Sequence, residues 1–102
     1  MRQGRYRLSV PDEVAQLIRS LHPELKRKVK SSLQLILNDP GSGKALKDEL
    51  AGLRSFRVGR FRIIYRIASG NRIDLVAVGP RERIYEETYR ILRKELKEET
   101  KK

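Results

Sequence analysis

The fold is decided largely by residues 54–67, which read RSFRVGRFRIIYRI. Apolar side chains at Phe61, Ile63, Tyr65 and Ile67 alternate with mostly basic ones, as in a β-strand that has one face in the core. Gly59 interrupts the run and marks a tight connection between two strands. We therefore expect two neighbouring antiparallel strands, with guanidinium groups on the face or rim opposite the core.

The sequence after this run predicts one more strand and a helix. Residues 69–71, Ser-Gly-Asn, are typical of a turn. Residues 73–78, IDLVAV, are almost wholly apolar and predict a central strand that is covered on both faces. Gly79-Pro80 ends that strand, and apolar residues at helical spacing from residue 82 onward predict a C-terminal helix. Residues 98–102 are expected to fray.

The N-terminal third predicts a strand followed by a helical hairpin. Alternation over residues 6–10 indicates a short strand that Pro11 ends. Apolar residues recur at helical spacing in residues 14–21 and again in residues 25–36, with a break at His22-Pro23. Ser9 and Asp12 are expected to form a capping pair for the first helix. The hairpin is expected to pack on the sheet, and residues 44–52 are expected to form a connector.

The composition excludes several classes of protein. The chain has 102 residues, no Cys and one His, so disulfides, Cys-based zinc sites and Cys nucleophiles are excluded and a His-based metal site or catalytic triad is disfavoured. Neither an apolar run long enough to cross a membrane nor a signal peptide is evident. The prediction is one α+β domain over residues 1–102, in the order β-α-α-β-β-β-α.

The chain is strongly basic, with 24 Lys and Arg against 13 Asp and Glu and a formal charge of +11. Five arginines and no acidic residue lie within residues 54–66. A guanidinium can hold a phosphate through two hydrogen bonds, whereas a lysine acts as a point charge. One interpretation is a solvated basic face that aids solubility. The other is a site for a polyanion, either nucleic acid or an acidic protein partner.

Four residues from separate parts of this region are expected to meet at one rim of the sheet. Arg57 and Arg62 flank the connection between two strands, Arg81 follows the central strand, and Tyr85 lies one helical turn later. Guanidinium groups can offset the charge that develops on a phosphodiester in its transition state. Tyr85 can orient a ribose hydroxyl or exchange a proton with it. The alternative is a Tyr85 packed on the sheet with its hydroxyl satisfied, and His22 is expected to be a surface or capping residue.

Residues 50–65, LAGLRSFRVGRFRIIY, and residues 76–85, VAVGPRERIY, resemble the RelE/ParE superfamily of type II toxin–antitoxin toxins. The helical hairpin agrees with the same fold, so the resemblance extends over nearly the whole chain. It implies a RelE-like domain with an N-terminal strand, a helical hairpin, a three-stranded antiparallel meander and a C-terminal helix.

The RelE branch, which the resemblance favours, consists of ribosome-dependent mRNA endonucleases. They cut through attack of the 2′-hydroxyl on the adjacent phosphate, without a metal or another cofactor. The resemblance implies catalytic roles for Arg62, Arg81 and Tyr85. We expect contacts with RNA phosphates from Arg54, Arg57, Arg60, Arg66 and Arg83, and among these five the resemblance itself implies that role for Arg57. The implied partners are the ribosome, mRNA and an acidic antitoxin, in the cytoplasm, with no membrane and no small molecule.

Two positions depart from the RelE pattern. Pro80 stands where many members have His, and Ser55 stands where some have a catalytic Lys. Two alternatives to a ribonuclease therefore remain open. The first is an inhibitor of DNA gyrase without nuclease activity, as in the ParE branch. The second is a non-toxic module that binds nucleic acid.

Overall fold

The computed structural model describes the backbone of residues 6–100 and the side chains of residues 6–97. Within that range the chain forms three α-helices and one five-stranded sheet. In chain order these are β1 (Arg7–Ser9), α1 (Asp12–Arg19), α2 (Pro23–Asn38), β2 (Lys44–Ala45), β3 (Arg54–Val58), β4 (Phe61–Ala68), β5 (Arg72–Pro80) and α3 (Arg81–Thr100). Short 3₁₀ turns at Pro40–Ser42 and Asp48–Leu50 flank β2.

The strands are arranged in the order β1-β5-β4-β3-β2. β1 pairs with β5 in parallel, and every other neighbouring pair is antiparallel. The predicted α+β class and the order of the main elements are confirmed. The predicted connector at residues 44–52 contains β2, which is too short for periodicity to reveal. Its second half makes a single 3₁₀ turn.

The helical hairpin packs on one face of the sheet, as predicted. Val14, Ile18, Val29 and Ile36 form one core with side chains of β3, β4 and β5, including Tyr65. The capping pair predicted for α1 is not formed: Pro11 is the N-cap residue and no side chain caps the helix. At α2 the prediction of a capping role is confirmed, because His22 Nδ1 accepts a hydrogen bond from the Glu24 N–H at 3.3 Å.

The other face of the sheet is covered by α3. Ile64, Val76 and Ala77 form a second core with Ile84 of α3. Val76 is skipped in the pairing of β4 with β5, and this bulge places two successive residues, Val76 and Ala77, under the helix. The face that we expected to carry guanidinium groups is thus buried at its centre, and the arginines of β3 and β4 on this face, Arg57, Arg62 and Arg66, lie toward its two ends.

Two further observations concern the ends of the chain and its helices. Ile67 of β4, expected in the core, is 43% exposed although its partner across the sheet, Ile73, is fully buried; Ile67 is the next-to-last residue of its strand. Helix α3 keeps its geometry to Thr100, within the segment predicted to fray, while residues 101–102 lie outside the described range. None of the helices in the described part of the chain is both long and apolar enough to span a membrane.

Candidate functional site

A cleft of about 520 Å³ opens at the end of the sheet where β5 passes into α3. We call it the cationic cleft. Its lining residues come from four parts of the chain: Ser42, Lys44, Ser55, Phe56, Arg57, Arg62, Arg81 and Tyr85. Four of these side chains are cations, and the described lining includes no carboxylate or imidazole. The cleft therefore suits a polyanion, whose phosphates would supply the missing negative charge.

The pairing of β3 with β4 places two guanidinium groups side by side. Arg57 and Arg62 are directly opposite in the antiparallel register, so their side chains leave the same face of the sheet. Like charges in this arrangement repel each other unless an anion lies between them. Arg62 Nη1 donates to the carbonyl oxygens of Gly59 at 3.1 Å and Phe61 at 3.0 Å. These two bonds hold the Arg62 side chain in place and leave its other N–H groups free to bind a ligand.

Helix α3 supplies the next two residues of the cleft. The Arg81 N–H donates to the Arg60 carbonyl at 2.8 Å, so the start of the helix is joined to the turn between β3 and β4. Gly79, opposite Arg62 in the sheet, allows the helix to approach closely, since a Cβ there would lie 3.2 Å from Ile84 Cδ1. Arg81 and Tyr85 then lie four residues apart on the side of α3 that faces the cleft.

The hydroxyl of Tyr85 has a partner in the sheet. Tyr85 Oη lies 3.1 Å from Ser55 Oγ, and either oxygen can be the donor. Tyr85 is therefore both packed against the second core and positioned at the cleft, so the two interpretations offered by the sequence describe the same side chain. Ser55 fixes the phenol without adding a charge.

Lys44 and Ser42 lie in the cleft although the sequence singled out neither. Lys44 pairs with Ser55 across β2 and β3, which places its side chain on the same face as Ser55. The segment before Lys44 is fastened to the sheet by the buried Tyr65. Its hydroxyl donates to the Pro40 carbonyl at 2.7 Å and accepts from the Gly43 N–H at 2.9 Å. We call these two hydrogen bonds the Tyr65 clasp.

The structure does not bring the remaining predicted arginines into the cleft. Arg54 lies on the opposite face of β3, where its Nη2 donates to the Gly41 carbonyl at 3.3 Å. Arg60 occupies the turn between β3 and β4, and Arg83 is exposed on the first turn of α3; neither lines the cleft. Arg66 lies at the far end of β4, 3.7 Å from Asp74. Of the eight predicted residues, the cleft thus contains Arg57, Arg62, Arg81 and Tyr85.

Arg66 belongs instead to an ion-pair cluster with Arg72 and Asp74. Arg72 Nε donates to Asp74 Oδ1 at 2.7 Å and Arg72 Nη2 donates to Asp74 Oδ2 at 3.2 Å. The hydrogen bonds from Arg72, with a smaller effect of the Arg66 charge, hold the pKa of Asp74 below its ordinary value, although partial burial opposes the shift. The same carboxylate raises the pKa of Arg72. Two guanidinium groups share one carboxylate here, so Arg66 is engaged at the opposite end of β4 from Arg62.

The described residues contain no group of three or more His, Cys, Asp or Glu side chains arranged to hold a metal ion. The groups gathered in the cleft are guanidinium, ammonium and hydroxyl groups. Such a set can bind a phosphodiester, offset negative charge on its non-bridging oxygens and position a ribose hydroxyl.

The chain was also compared with known proteins. Its sequence matches the model of the ParE toxin of the type II toxin–antitoxin system ParDE over residues 5–85. No curated protein sequence matches it significantly. Its fold is similar to that of a solved structure of the RelBE2 toxin–antitoxin complex from Mycobacterium tuberculosis, with 26% identity, a TM-score of 0.66, and 74% of this chain and 98% of that chain covered.

Two further solved structures have the same fold. For a mutant of the Escherichia coli toxin RelE in the free state, the TM-score is 0.70 at 17% identity, covering 88% of this chain and 96% of that chain. For the archaeal RelE–RelB complex from Pyrococcus horikoshii, the TM-score is 0.63 at 24% identity, covering 76% of this chain and 97% of that chain. With the family model matched over most of its length and the RelE fold reproduced around the cationic cleft, the chain belongs to the RelE/ParE superfamily of toxins of type II toxin–antitoxin systems.

Proposed function

We propose that the protein is an mRNA endonuclease that acts on the ribosome and inhibits translation in the cytoplasm. The observation that carries the proposal is the convergence of Arg57, Arg62, Arg81 and Tyr85 in one cleft. The resemblance to the RelE branch attaches catalytic or phosphate-binding roles to these same four residues. The similarity of the fold to solved RelE toxins supports the choice of that branch over others.

The proposed reaction is a transesterification within the RNA strand. The 2′-oxygen of one ribose attacks the adjacent phosphorus, the bond from phosphorus to the 5′-oxygen breaks, and a 2′,3′-cyclic phosphate and a 5′-hydroxyl result. The 2′-hydroxyl loses its proton to water and the 5′-oxygen gains one, so no net proton is consumed. Arg62 and Arg81 offset the charge that grows on the non-bridging oxygens, and Arg57 binds the phosphate in the ground state. Tyr85, fixed by Ser55, orients the attacking hydroxyl.

We also propose an acidic antitoxin as the protein partner. The chain carries a formal charge of +11, so an acidic protein that covers the cationic cleft would be attracted over a distance. Several of the similar solved structures are toxin–antitoxin complexes, including RelBE2 from Mycobacterium tuberculosis and YoeB–YefM from Staphylococcus aureus. An antitoxin of this kind is expected to remove the activity by masking the cleft.

The test is cleavage of mRNA on programmed ribosomes, with the cut site mapped. Wild-type protein is expected to cut. Arg81→Ala and Tyr85→Phe are expected to slow the single-turnover rate by about 10²-fold or more, since each removes a group acting at the reacting phosphate. Arg83→Ala is the matched control, because Arg83 is exposed on the same helical turn but does not line the cleft. Equal rates for Arg81→Ala and wild type would refute the assignment.

Inhibition of DNA gyrase is the second candidate, and the match to the ParE family model is the observation that favours it. The two candidates make opposite predictions for the same cells. A gyrase inhibitor produces stalled gyrase–DNA complexes while translation continues, whereas an mRNA endonuclease stops translation first. Measuring protein synthesis and gyrase-linked DNA breaks within minutes of induction distinguishes them.

A further inference from the structure

We propose that Lys44 is the general acid of the cationic cleft and gives a proton to the departing 5′-oxygen. The inference rests on the proposed function and assigns to that reaction a residue that neither the sequence nor the resemblance selected. In the step proposed, the bond from phosphorus to the 5′-oxygen breaks and the bonding electrons stay on that oxygen. The Lys44 ammonium supplies the proton and is left as a neutral amine, which regains a proton from water.

The first argument is an inventory of protons in the cleft. Strand cleavage requires a proton for the 5′-oxygen, and the described lining residues include no carboxylate or imidazole to deliver it. The guanidinium groups of the three arginines stay protonated and cannot act as acids. One of the Tyr85 and Ser55 hydroxyls donates to the other at 3.1 Å, and the role proposed for Tyr85 places its phenol at the attacking 2′-hydroxyl, which lies opposite the 5′-oxygen in an in-line displacement. Lys44 is the lining residue that is both cationic and able to release a proton.

The second argument is placement. Lys44 and Ser55 are directly opposite in the antiparallel pairing of β2 with β3, so their Cβ atoms are about 4.5–5.5 Å apart on one face. Since Ser55 contacts the phenol of Tyr85, the lysine side chain starts one strand away from the residue that orients the attacking hydroxyl. Its flexible four-carbon stem is long enough to follow a phosphate bound at the arginines.

The third argument is that a short edge strand would not ordinarily hold a side chain in place, yet β2 is anchored on both sides. The Tyr65 clasp fixes the residues just before Lys44 through the Pro40 carbonyl and the Gly43 N–H. Just after β2, the Leu46 N–H donates to the Leu53 carbonyl at 2.9 Å. The backbone of Lys44 is therefore held between two points of attachment, as a residue that acts on a reacting atom requires.

The experiment compares two mRNAs on programmed ribosomes under single-turnover conditions. One has the ordinary 5′-oxygen at the mapped cut, and the other has sulfur in its place, because a thiolate leaves without needing a proton. Lys44→Met is expected to slow cleavage of the ordinary mRNA by about 10²- to 10⁴-fold and to cut the sulfur-containing mRNA at close to the wild-type rate. Lys44→Arg is expected to be slow on the ordinary mRNA as well, since it keeps the charge but not the acidity.

Lys47→Met is the matched control, because Lys47 is an exposed lysine on the same segment that does not line the cleft. Thermal unfolding of each variant checks that the fold is kept. If Lys44→Met is unstable, the rate of Lys44→Arg on the ordinary mRNA decides the test. A wild-type rate for Lys44→Arg, or an equal loss on both mRNAs in a folded Lys44→Met, overturns the role as acid while leaving the nuclease in place. Wild-type protein that cuts neither mRNA overturns the proposed function itself.

Discussion

The Tyr65 clasp gives a prediction that can be worked out quantitatively from the structure. Tyr65 is fully buried, and its hydroxyl makes one hydrogen bond to the Pro40 carbonyl and one with the Gly43 N–H. Tyr65→Phe removes both bonds without altering the packing of the ring. A net value of about 0.5–1.5 kcal/mol for each bond gives a loss of about 1–3 kcal/mol in the free energy of unfolding. The buried Gly43 N–H, left without a partner, places the expected value toward the upper end of that range.

For a domain of this size, 1 kcal/mol corresponds to a change in Tm of about 4–8 °C. A loss of about 2 kcal/mol is therefore expected to lower the Tm of Tyr65→Phe by roughly 8–16 °C. Tyr89→Phe is the matched control: Tyr89 is 40% exposed on α3, so loss of its hydroxyl is expected to change stability by less than about 0.5 kcal/mol. Both values come from urea or thermal unfolding followed by circular dichroism.

Hydrogen exchange locates the effect. The amide of Gly43 is expected to lose protection in Tyr65→Phe far more than the amide of Leu46, which is bonded to the Leu53 carbonyl and not to the clasp. If Tyr65→Phe and Tyr89→Phe have the same Tm, and Gly43 exchanges at its wild-type rate in both, the clasp does not fasten the segment that carries Lys44. The argument for a fixed lysine would then rest only on the hydrogen bond from the Leu46 N–H to the Leu53 carbonyl.

Three further predictions follow from single contacts. A Cβ on Gly43 would lie 2.6 Å from Tyr65 Oη, so Gly43→Ala is expected to cost about 1–3 kcal/mol in unfolding free energy, and measurably less in a Tyr65→Phe background. The pKa of Asp74 is lowered in the folded state, so its ion pairs stabilise the fold above the unfolded pKa of about 4, and this contribution is lost as pH falls through the folded pKa. Wild type is therefore expected to be more stable than Asp74→Asn by about 0.5–1 kcal/mol at pH 7. Unfolding measured at a series of pH values should show this difference shrinking toward pH 3. Binding of single-stranded RNA should weaken steeply with salt, and Arg57→Gln should reduce the slope of log K against log salt by up to about 0.7, with an unchanged slope speaking against a phosphate contact there.

The sequence was sufficient for the elements of the fold that have a clear period. Strand β4 and the helices of the hairpin have apolar residues at spacings that only one secondary structure satisfies, and β5 is a short apolar run bounded by turn residues. The sequence was insufficient for β2, because two residues cannot display a period, and for the bulge at Val76, which depends on how two strands are paired. The sequence also left open which face of the sheet α3 covers, since an apolar stripe on a helix does not determine which surface it packs against.

The residues of the candidate site likewise divide into those that the sequence could predict and those that depend on strand pairing. Arg57 and Arg62 were predictable neighbours, because they flank a tight turn at positions that pair directly. Arg54 is one residue from Ser55 and three from Arg57, so the alternation of side chains along β3 places it on the other face of the sheet. A buried Tyr at position 65 implied a hydrogen-bond partner, but the partner lies 22 residues earlier in a loop. Lys44 was missed because its place in the cleft depends on a pairing that local sequence does not encode.

The two departures from the RelE pattern acquire a physical meaning once their surroundings are known. Ser55, where the resemblance expects a lysine in some members, holds the Tyr85 hydroxyl and lies directly opposite Lys44. Pro80, where many members have histidine, is the last residue of β5, and its fixed φ stiffens the junction from which Arg81 projects. Both positions thus contribute orientation instead of a titratable group. A lysine at position 55 would have placed two ammonium groups on facing strand positions, which is unfavourable. With the charge carried on β2 instead, the cleft keeps one ammonium group beside its three arginines, and that group comes from the sheet edge nearest the phenol.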